Sequence, residues 1–100
     1  MSMQAKDVPE APVLAFLLAN AGRWCTYAEE YFDQNGKPYL PSVAHAMPAG
    51  TPEKVQLAKM RQLMKRGLVT GCGCGCRGDF EITEAGRAYL AALQAVEPRP

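Results

Sequence analysis

Apolar positions along the chain follow helical spacing in three stretches and alternate in one, and these patterns predict the main elements. Residues 11–21 (APVLAFLLANA) are apolar on most sides, with Pro12 near the start and Gly22 just past the end. Proline in the first turn and glycine beyond the last turn are typical of a helix, and the apolar circumference indicates a central position. We therefore expect a first helix that lies within the core.

The clearest helical signal covers residues 51–66. Thr51 is suited to the N-cap, Pro52 to the first helical position and Gly67 to the left-handed cap that ends the helix. At 100° per residue, the apolar side chains fall in one arc of roughly 140° that should face the core. These side chains are Leu57, Met60, Leu63, Met64 and Leu68. The opposite, solvent-facing side is predicted to carry Lys59, Gln62 and Arg66.

Two short strands and a last helix are predicted after this helix. Residues 68–70 should form one strand, and residues 79–82, which alternate polar and apolar side chains, should form its return strand. The segment between them is rich in glycine and is predicted to be a loop. Thr83 is a suitable cap for a helix from residue 84 to about residue 96.

The middle of the chain carries weaker signals. Thr26 and Glu29 have capping-box spacing, in which each side chain accepts a hydrogen bond from the backbone N–H of the other residue. This pattern predicts a helix over residues 26–32, ended by Asn35 and Gly36. The neighbouring predictions are an extended segment at residues 23–25, a loop at residues 36–41 and one helical turn at residues 43–47 capped by Ser42.

Composition limits the class of protein without choosing a function. A chain of 100 residues has the length of one domain, and 48% hydrophobic with 21% charged residues indicates a globular fold. We predict a single domain over residues 1–100, with flexible tails at residues 1–8 and 97–100. The net charge of +1 excludes a uniformly polycationic nucleic-acid binder.

Targeting signals are weak. The longest apolar run, residues 13–19, is shorter than the roughly 20 residues needed to span a bilayer. Residues 19–21 (ANA) resemble a signal-peptidase site, but acidic residues outweigh Lys6 in the preceding segment, and Pro9 and Pro12 interrupt it. We expect a cytoplasmic protein with no membrane partner, whose cysteines are free thiols or metal ligands rather than disulfides.

The predicted order of helix, strand, helix, basic helix, two-stranded hairpin and helix is that of a winged helix-turn-helix domain. Residues 63–69 (LMKRGLV) and 80–90 (FEITEAGRAYL) resemble the recognition-helix end, the strand after the wing and the following helix of MarR- and PadR-type regulators. The resemblance implies an α+β, mainly helical fold with a two-stranded wing hairpin and a C-terminal helix. It also implies a DNA-binding transcriptional regulator of bacterial or phage type. Residues 33–50, with three prolines, are longer than the tight turn of the family's motif.

Charge is polarised along the chain. Residues 51–78 contain six basic residues and one acidic residue, which leaves +5, while residues 1–50 and residues 79–100 each carry −2. A helix fits the major groove, where Lys and Arg neutralise phosphates and Arg61 or Gln62 can read base edges. The candidate contacts with double-stranded DNA are Lys54, Lys59, Arg61, Gln62, Lys65, Arg66 and Arg77.

Other functions stay open. A winged-helix adaptor that binds another protein is the alternative interpretation, because one fold can serve both purposes. The alanine-rich faces of the first and last helices would also suit a homodimer. The sequence shows no recognisable set of nucleophile, base and acid, and it contains one histidine, so we do not expect an enzyme.

Three of the four cysteines form a C-x-C-x-C segment: Cys72, Cys74 and Cys76. The intervening glycines let the loop curl, which would gather the thiols around one zinc ion, with Cys25 as the fourth ligand and His45 as its alternative. A thiol redox sensor is a second hypothesis, because the positive charge of Arg77 would favour a neighbouring thiolate. A simple glycine–cysteine repeat without a cofactor is the third.

Overall fold

The computed structural model describes residues 3–29, 31–72 and 78–95. Its helices are α1 (Glu10–Ala19), α2 (Glu53–Lys65) and α3 (Glu84–Ala95), with short 3-10 helices at Ala5–Asp7 and Val43–Ala46. Two antiparallel pairs join β1 (Tyr31–Phe32) to β2 (Pro38–Leu40) and β3 (Val69–Thr70) to β4 (Glu81–Ile82). The expected α+β class is confirmed.

The hydrophobic core collects side chains from the three helices, from β3 and from several connecting segments. Helix α1 lies at its centre and contacts α3, β4 and the second 3-10 helix. The buried apolar residues of this core are Val8, Val13, Leu14, Leu17, Cys25, Val43, Met47, Met60, Leu63, Leu68, Val69, Phe80 and Leu90.

Helix α1 ends two residues earlier than predicted because Asn20 caps it. The side-chain amide of Asn20 donates to the carbonyl oxygen of Phe16 at 2.9 Å, and its backbone N–H donates to the same oxygen at 3.1 Å. The chain then turns at Gly22, which has a φ of +88°. Within the described residues, no helix combines the length and the apolar character needed to cross a bilayer.

The C-terminal end of α2 confirms the predicted glycine cap. Gly67 has a φ of +76°, its N–H donates to Met64 at 3.0 Å, and the N–H of Leu68 donates to Leu63 at 3.0 Å. This pair of bonds is a Schellman motif, which satisfies two of the last helical carbonyls. The predicted N-cap is wrong: Pro52 takes that position, and the Thr51 hydroxyl donates instead to the carbonyl oxygen of Pro48.

Thr83 links the β3–β4 hairpin to the start of α3 through hydrogen bonds. Its hydroxyl donates to Gly67 at 2.7 Å and accepts from the N–H of Gly86 at 2.9 Å, and its N–H donates to Leu68 at 3.0 Å. A Cβ at Gly86 would lie 2.8 Å from Cγ1 of Ile82 and closer still to the carbonyl oxygen of Leu68. The predicted threonine cap is therefore confirmed, and glycine at residue 86 is required by close packing.

The predicted helix over residues 26–32 is wrong. The N–H of Thr26 donates to Pro41 at 2.7 Å, and its carbonyl oxygen accepts from Val43 at 2.8 Å, so its backbone is paired as in a strand. Ala28 has a φ of +66°, which a right-handed helix excludes. The extended segment predicted just before it is confirmed at Cys25, which forms an antiparallel bridge with Phe80.

Strands β1 and β2 form a hairpin, whereas the composition of residues 36–41 predicts a loop. The carboxylate of Asp33 accepts from the N–H groups of Asn35 at 2.8 Å and Lys37 at 3.0 Å, and Gly36 has a φ of +79°. Asn35-Gly36 is thus a hairpin turn and not the end of a helix, in keeping with the frequency of this dipeptide in hairpins. The predicted cap at Ser42 is confirmed, because its side chain accepts from Ala44 at 3.1 Å.

The start of the chain is more ordered than the composition predicted. Residues 1–8 were expected to be a flexible tail, yet Ala5–Asp7 form a 3-10 helix that contacts α2. Val8, which follows it, is buried in the core. The predicted tail at residues 97–100 lies outside the described residues.

Candidate nucleic-acid interface

One side of α2 is exposed and positively charged. Lys54, Arg61 and Lys65 are all exposed, and spacings of seven and four residues bring them onto the same side of the helix over about 16 Å. The exposed Gln62 lies next to them. We call these four residues the basic face of α2. Glu53, at the helix start, is the one acidic residue within α2.

The buried side of α2 is rotated from the predicted arc by roughly 70°. It consists of Gln56, Lys59, Met60 and Leu63, whereas the predicted core residues Leu57 and Met64 are only partly buried. Lys59 is 3% exposed, so its predicted place on the solvent-facing side is wrong. Desolvation by burial lowers the pKa of its ammonium group.

Gln56 explains part of this rotation, and nothing in the sequence pattern had singled it out. Its Oε1 accepts from the N–H of Ala28 at 2.8 Å, and its Nε2 donates to the carbonyl oxygen of Thr51 at 2.9 Å. The side chain therefore satisfies one donor of the turn at residue 28 and one acceptor ahead of α2. Because buried polar groups need partners, this amide anchors the N-terminal end of the basic helix.

Arg66 is turned away from the basic face, towards the other two helices. Its guanidinium group forms an ion pair with Glu10 of α1 and lies over the ring of Tyr89 of α3, 4.8 Å from the ring centre. Of the seven candidate DNA contacts, Lys54, Arg61, Gln62 and Lys65 thus share one exposed face. Arg77 lies outside the described residues.

Two of the four cysteines predicted to share a metal site, Cys25 and Cys72, lie among the described residues and differ in their surroundings. Cys25 is 1% exposed, and burial raises the pKa of its thiol to about 11, with Arg23 lowering the pKa and Glu81 raising it as smaller effects. Cys72 is half-buried beside the hairpin, while Cys74 and Cys76 lie outside the described residues. The alternative ligand His45 is exposed on the second 3-10 helix.

No group of three or more His, Cys, Asp or Glu side chains within residues 3–29, 31–72 and 78–95 is arranged to hold a metal ion. The bridge between Cys25 and Phe80 places the segment after α1 next to the hairpin. The Cys25 thiol, however, packs into the hydrophobic core. Burial favours its protonated form, whereas a metal ligand must be a thiolate.

A second exposed feature is aromatic. Trp24 is 53% exposed and Phe32 is 55% exposed, and Tyr31 is also exposed beside Phe32 on β1. Large aromatic side chains on a surface are enriched where proteins bind other proteins. These residues lie on the segment between α1 and the second 3-10 helix, separate in sequence from the basic face.

Comparisons with known proteins give one partial relative. A segment of 67 residues, 67% of this chain, is 36% identical to part of a D-alanine–D-alanine ligase from Citrifermentans bemidjiense. The match spans 22% of the length of that ligase. No protein-family model matches the chain, and no solved structure matches it.

Proposed function

We propose that this chain is a small winged-helix protein of the cytoplasm that binds double-stranded DNA and regulates transcription, with α2 entering the major groove. The observation that carries the proposal is the basic face of α2, which is exposed along the whole helix. Three cations on one side of a helix can neutralise phosphates on the walls of the groove, and Gln62 can form hydrogen bonds with base edges.

The order of elements supports the winged-helix part of the proposal. Helix α1, the bridging residue Cys25, a short helix, α2, the hairpin β3–β4 and α3 follow one another as in that fold. The 3-10 helix Val43–Ala46 would take the place of the first helix of the helix-turn-helix, in front of α2. The inserted hairpin β1–β2 would then be an addition to the motif.

A charge-matched pair of triple variants tests the proposal. Lys54, Arg61 and Lys65 changed together to Ala should abolish retardation of duplex DNA in a mobility-shift assay. We expect the affinity to fall by about 100-fold or more at 0.1 M salt, because about three phosphate contacts are lost. The slope of log affinity against log salt should become shallower by roughly 2.7 for the same reason.

The control changes Lys6, Lys37 and Arg87 to Ala. These residues are also exposed and carry the same total charge, but they lie on the first 3-10 helix, the β1–β2 turn and α3. The control should keep its salt slope. Equal losses in the two triple variants, or a wild-type chain that does not retard DNA, would refute the proposed interface. Selection of bound duplexes from a random pool then gives the recognised sequence.

A winged-helix adaptor is the second candidate, favoured by the exposed Trp24 and Phe32. An adaptor would elute early from heparin and would not shift DNA, but it would capture a protein partner through the aromatic side chains. Trp24→Ser together with Phe32→Ser should then abolish capture of that partner while DNA affinity, if any, stays unchanged. The same double variant distinguishes the two functions, since the basic face of α2 is intact in it.

A further inference from the structure

Three side chains from three helices meet at the C-terminal end of α2. Arg66 forms an ion pair with Oε2 of Glu10, the hydroxyl of Tyr89 donates to Oε1 of Glu10 at 2.8 Å, and the guanidinium group lies over the Tyr89 ring. Both oxygens of the Glu10 carboxylate therefore have partners. We call Glu10, Arg66 and Tyr89 the helix clamp.

The geometry of the clamp uses properties that are specific to arginine. The guanidinium group is planar and can donate to a carboxylate while its face stacks on an aromatic ring, which an ammonium group cannot do. Arg66 is the C-cap residue of α2, so these contacts fix the end of the helix against α1 and α3. Its side chain is 44% exposed, which keeps the ion pair within reach of water and of a competing phosphate.

The two ends of α2 are thus held by different sets of contacts. Gln56 anchors the N-terminal part to the turn at Ala28 and to Thr51. The clamp anchors the C-terminal end. Arg61, Gln62 and Lys65 of the basic face lie between these anchors, and Lys54 lies two residues before Gln56. The direction of the basic face relative to the rest of the molecule therefore depends on both anchors.

We infer that Arg66 is a positioning residue in DNA binding and not a phosphate contact: through Glu10 and Tyr89 it holds α2 in the orientation that presents the basic face. This inference rests on the proposed function. A phosphate contact by Arg66 would bring a polyanion next to the Glu10 carboxylate, which would compete with the phosphate for the same guanidinium group.

The two roles predict opposite signs for Glu10→Gln. If Glu10 acts only as a negative charge near DNA, its removal should tighten binding, because a repulsive charge is lost. If the clamp orients α2, the variant should bind DNA about threefold to tenfold more weakly, in line with the strength of a partly exposed ion pair and a cation–π contact. The measurement is the dissociation constant for a duplex of random sequence at fixed salt.

Glu84→Gln is the matched control. Glu84 lies in the first turn of α3 as Glu10 lies in the first turn of α1, so both variants lose the same charge and the same interaction with a helix N-terminus. Glu84 is exposed, and it is not part of the clamp. Its variant should bind DNA as well as the wild type or slightly better.

Variants of Arg66 and Tyr89 complete the test with a readout that stability alone would not move. Arg66→Ala should weaken binding by about the same factor as Glu10→Gln without changing the salt slope, whereas loss of a phosphate contact would reduce the slope by about 0.9. Arg66→Lys should behave like Arg66→Ala if stacking and the forked geometry matter, and like the wild type if charge alone matters. Tyr89→Phe, which keeps the ring, should cause about half of the loss.

The outcomes separate the two proposals. A wild-type chain that does not bind DNA overturns the proposed function, and the inference with it. Wild-type binding together with unchanged or tighter binding by Glu10→Gln, or a slope reduced by about 0.9 in Arg66→Ala, overturns only the clamp. Urea unfolding of each variant checks that the chain is folded under the binding conditions.

Discussion

Residues 63–90 and residues 24–42 cover the same core, but their backbones are held by different kinds of partner. In residues 63–90, near neighbours close the helix ends: Gly67 and Leu68 donate to carbonyls three and five positions back. Thr83 then caps α3 and reaches back across one hairpin to Gly67. Each of these bonds is available as soon as the local segment folds.

The first part of residues 24–42 depends on segments that lie far away along the chain. Cys25 exchanges two backbone hydrogen bonds with Phe80, at 3.0 and 2.7 Å, and Ala28 donates to the side chain of Gln56. The capping-box pattern at Thr26 and Glu29 is locally favourable, yet these distant partners outweigh it. A local signal therefore determines structure where no distant segment competes for the same backbone groups.

The largest effect should come from Gly86→Ala, which would disturb the packing of α3 against the β3–β4 hairpin within residues 63–90. The added methyl group would collide with the Leu68 carbonyl, which accepts from the N–H of Thr83, and with Ile82, which is held by the β3–β4 pairing. We expect a loss of about 3 kcal/mol in the free energy of unfolding, measured by urea denaturation. Gly36→Ala is the control: its φ is also positive but its surroundings are open, so about 1 kcal/mol is expected. Equal losses would contradict the packing explanation.

The next effect concerns the protection of the Cys25 thiol, which reports how readily the segment around it opens. In a variant whose other three cysteines are Ser, Cys25 should react with iodoacetamide at pH 8 at least about 100-fold more slowly in the native chain than in urea, because burial raises its pKa from 9.0 to about 11 and also shields the thiol. A ratio near one would mean that this segment opens readily.

The same pKa shift has a consequence for stability at high pH. The folded chain holds the thiol proton more tightly than the unfolded chain, so the stability that Cys25 contributes is complete below pH 9.0 and is lost as the pH rises towards 11. Cys25→Ala should remove this component of the alkaline decrease in unfolding free energy. An identical alkaline decrease in both chains would argue against a buried, protonated thiol.

A smaller effect is expected where the two regions are joined through Gln56. Gln56→Met keeps the volume but leaves the N–H of Ala28 and the carbonyl of Thr51 without the amide, which should cost about 2 kcal/mol in urea unfolding. Gln62→Met, on the exposed side of the same helix, should change stability by less than about 0.5 kcal/mol. If both variants lose the same free energy of unfolding, the cause is helix propensity and not the two hydrogen bonds of Gln56.

The smallest effects concern two sequence patterns that both begin with a threonine: the helix cap at Thr83 and the capping-box spacing of Thr26 and Glu29. Thr83→Ala should lower the free energy of unfolding by about 1 kcal/mol because a helix cap is lost. Thr83→Ser keeps the capping hydroxyl and should therefore lose much less. Glu29→Ala should change the unfolding free energy by less than about 0.3 kcal/mol, because no helix begins at Thr26. A cost of about 1 kcal/mol for Glu29→Ala would contradict the observed turn.

The sequence predicts the positive charge of α2, but it does not predict which side of α2 faces the core. The excess of Lys and Arg in α2 is visible along the chain, and so is the glycine that ends the helix. Which side of the helix faces the core was misjudged, because Gln56 and Lys59 are buried although their side chains are polar. Helical periodicity assumes that polar residues face water, and the bridge made by Gln56 breaks that assumption.

Local sequence is enough to predict the three helices, the hairpin after α2 and the caps at Gly67 and Thr83, because each of these depends on residues that lie close together in the chain. Tertiary contacts exclude the helix predicted over residues 26–32, since the backbone groups of Thr26 and Ala28 pair with Pro41, Val43 and the side chain of Gln56. Tertiary contacts also place the guanidinium group of Arg66 against Glu10 and over the Tyr89 ring, while the side chain stays 44% exposed. A guanidinium group binds whichever carboxylate and ring the fold places beside it, and local spacing holds no information about that choice.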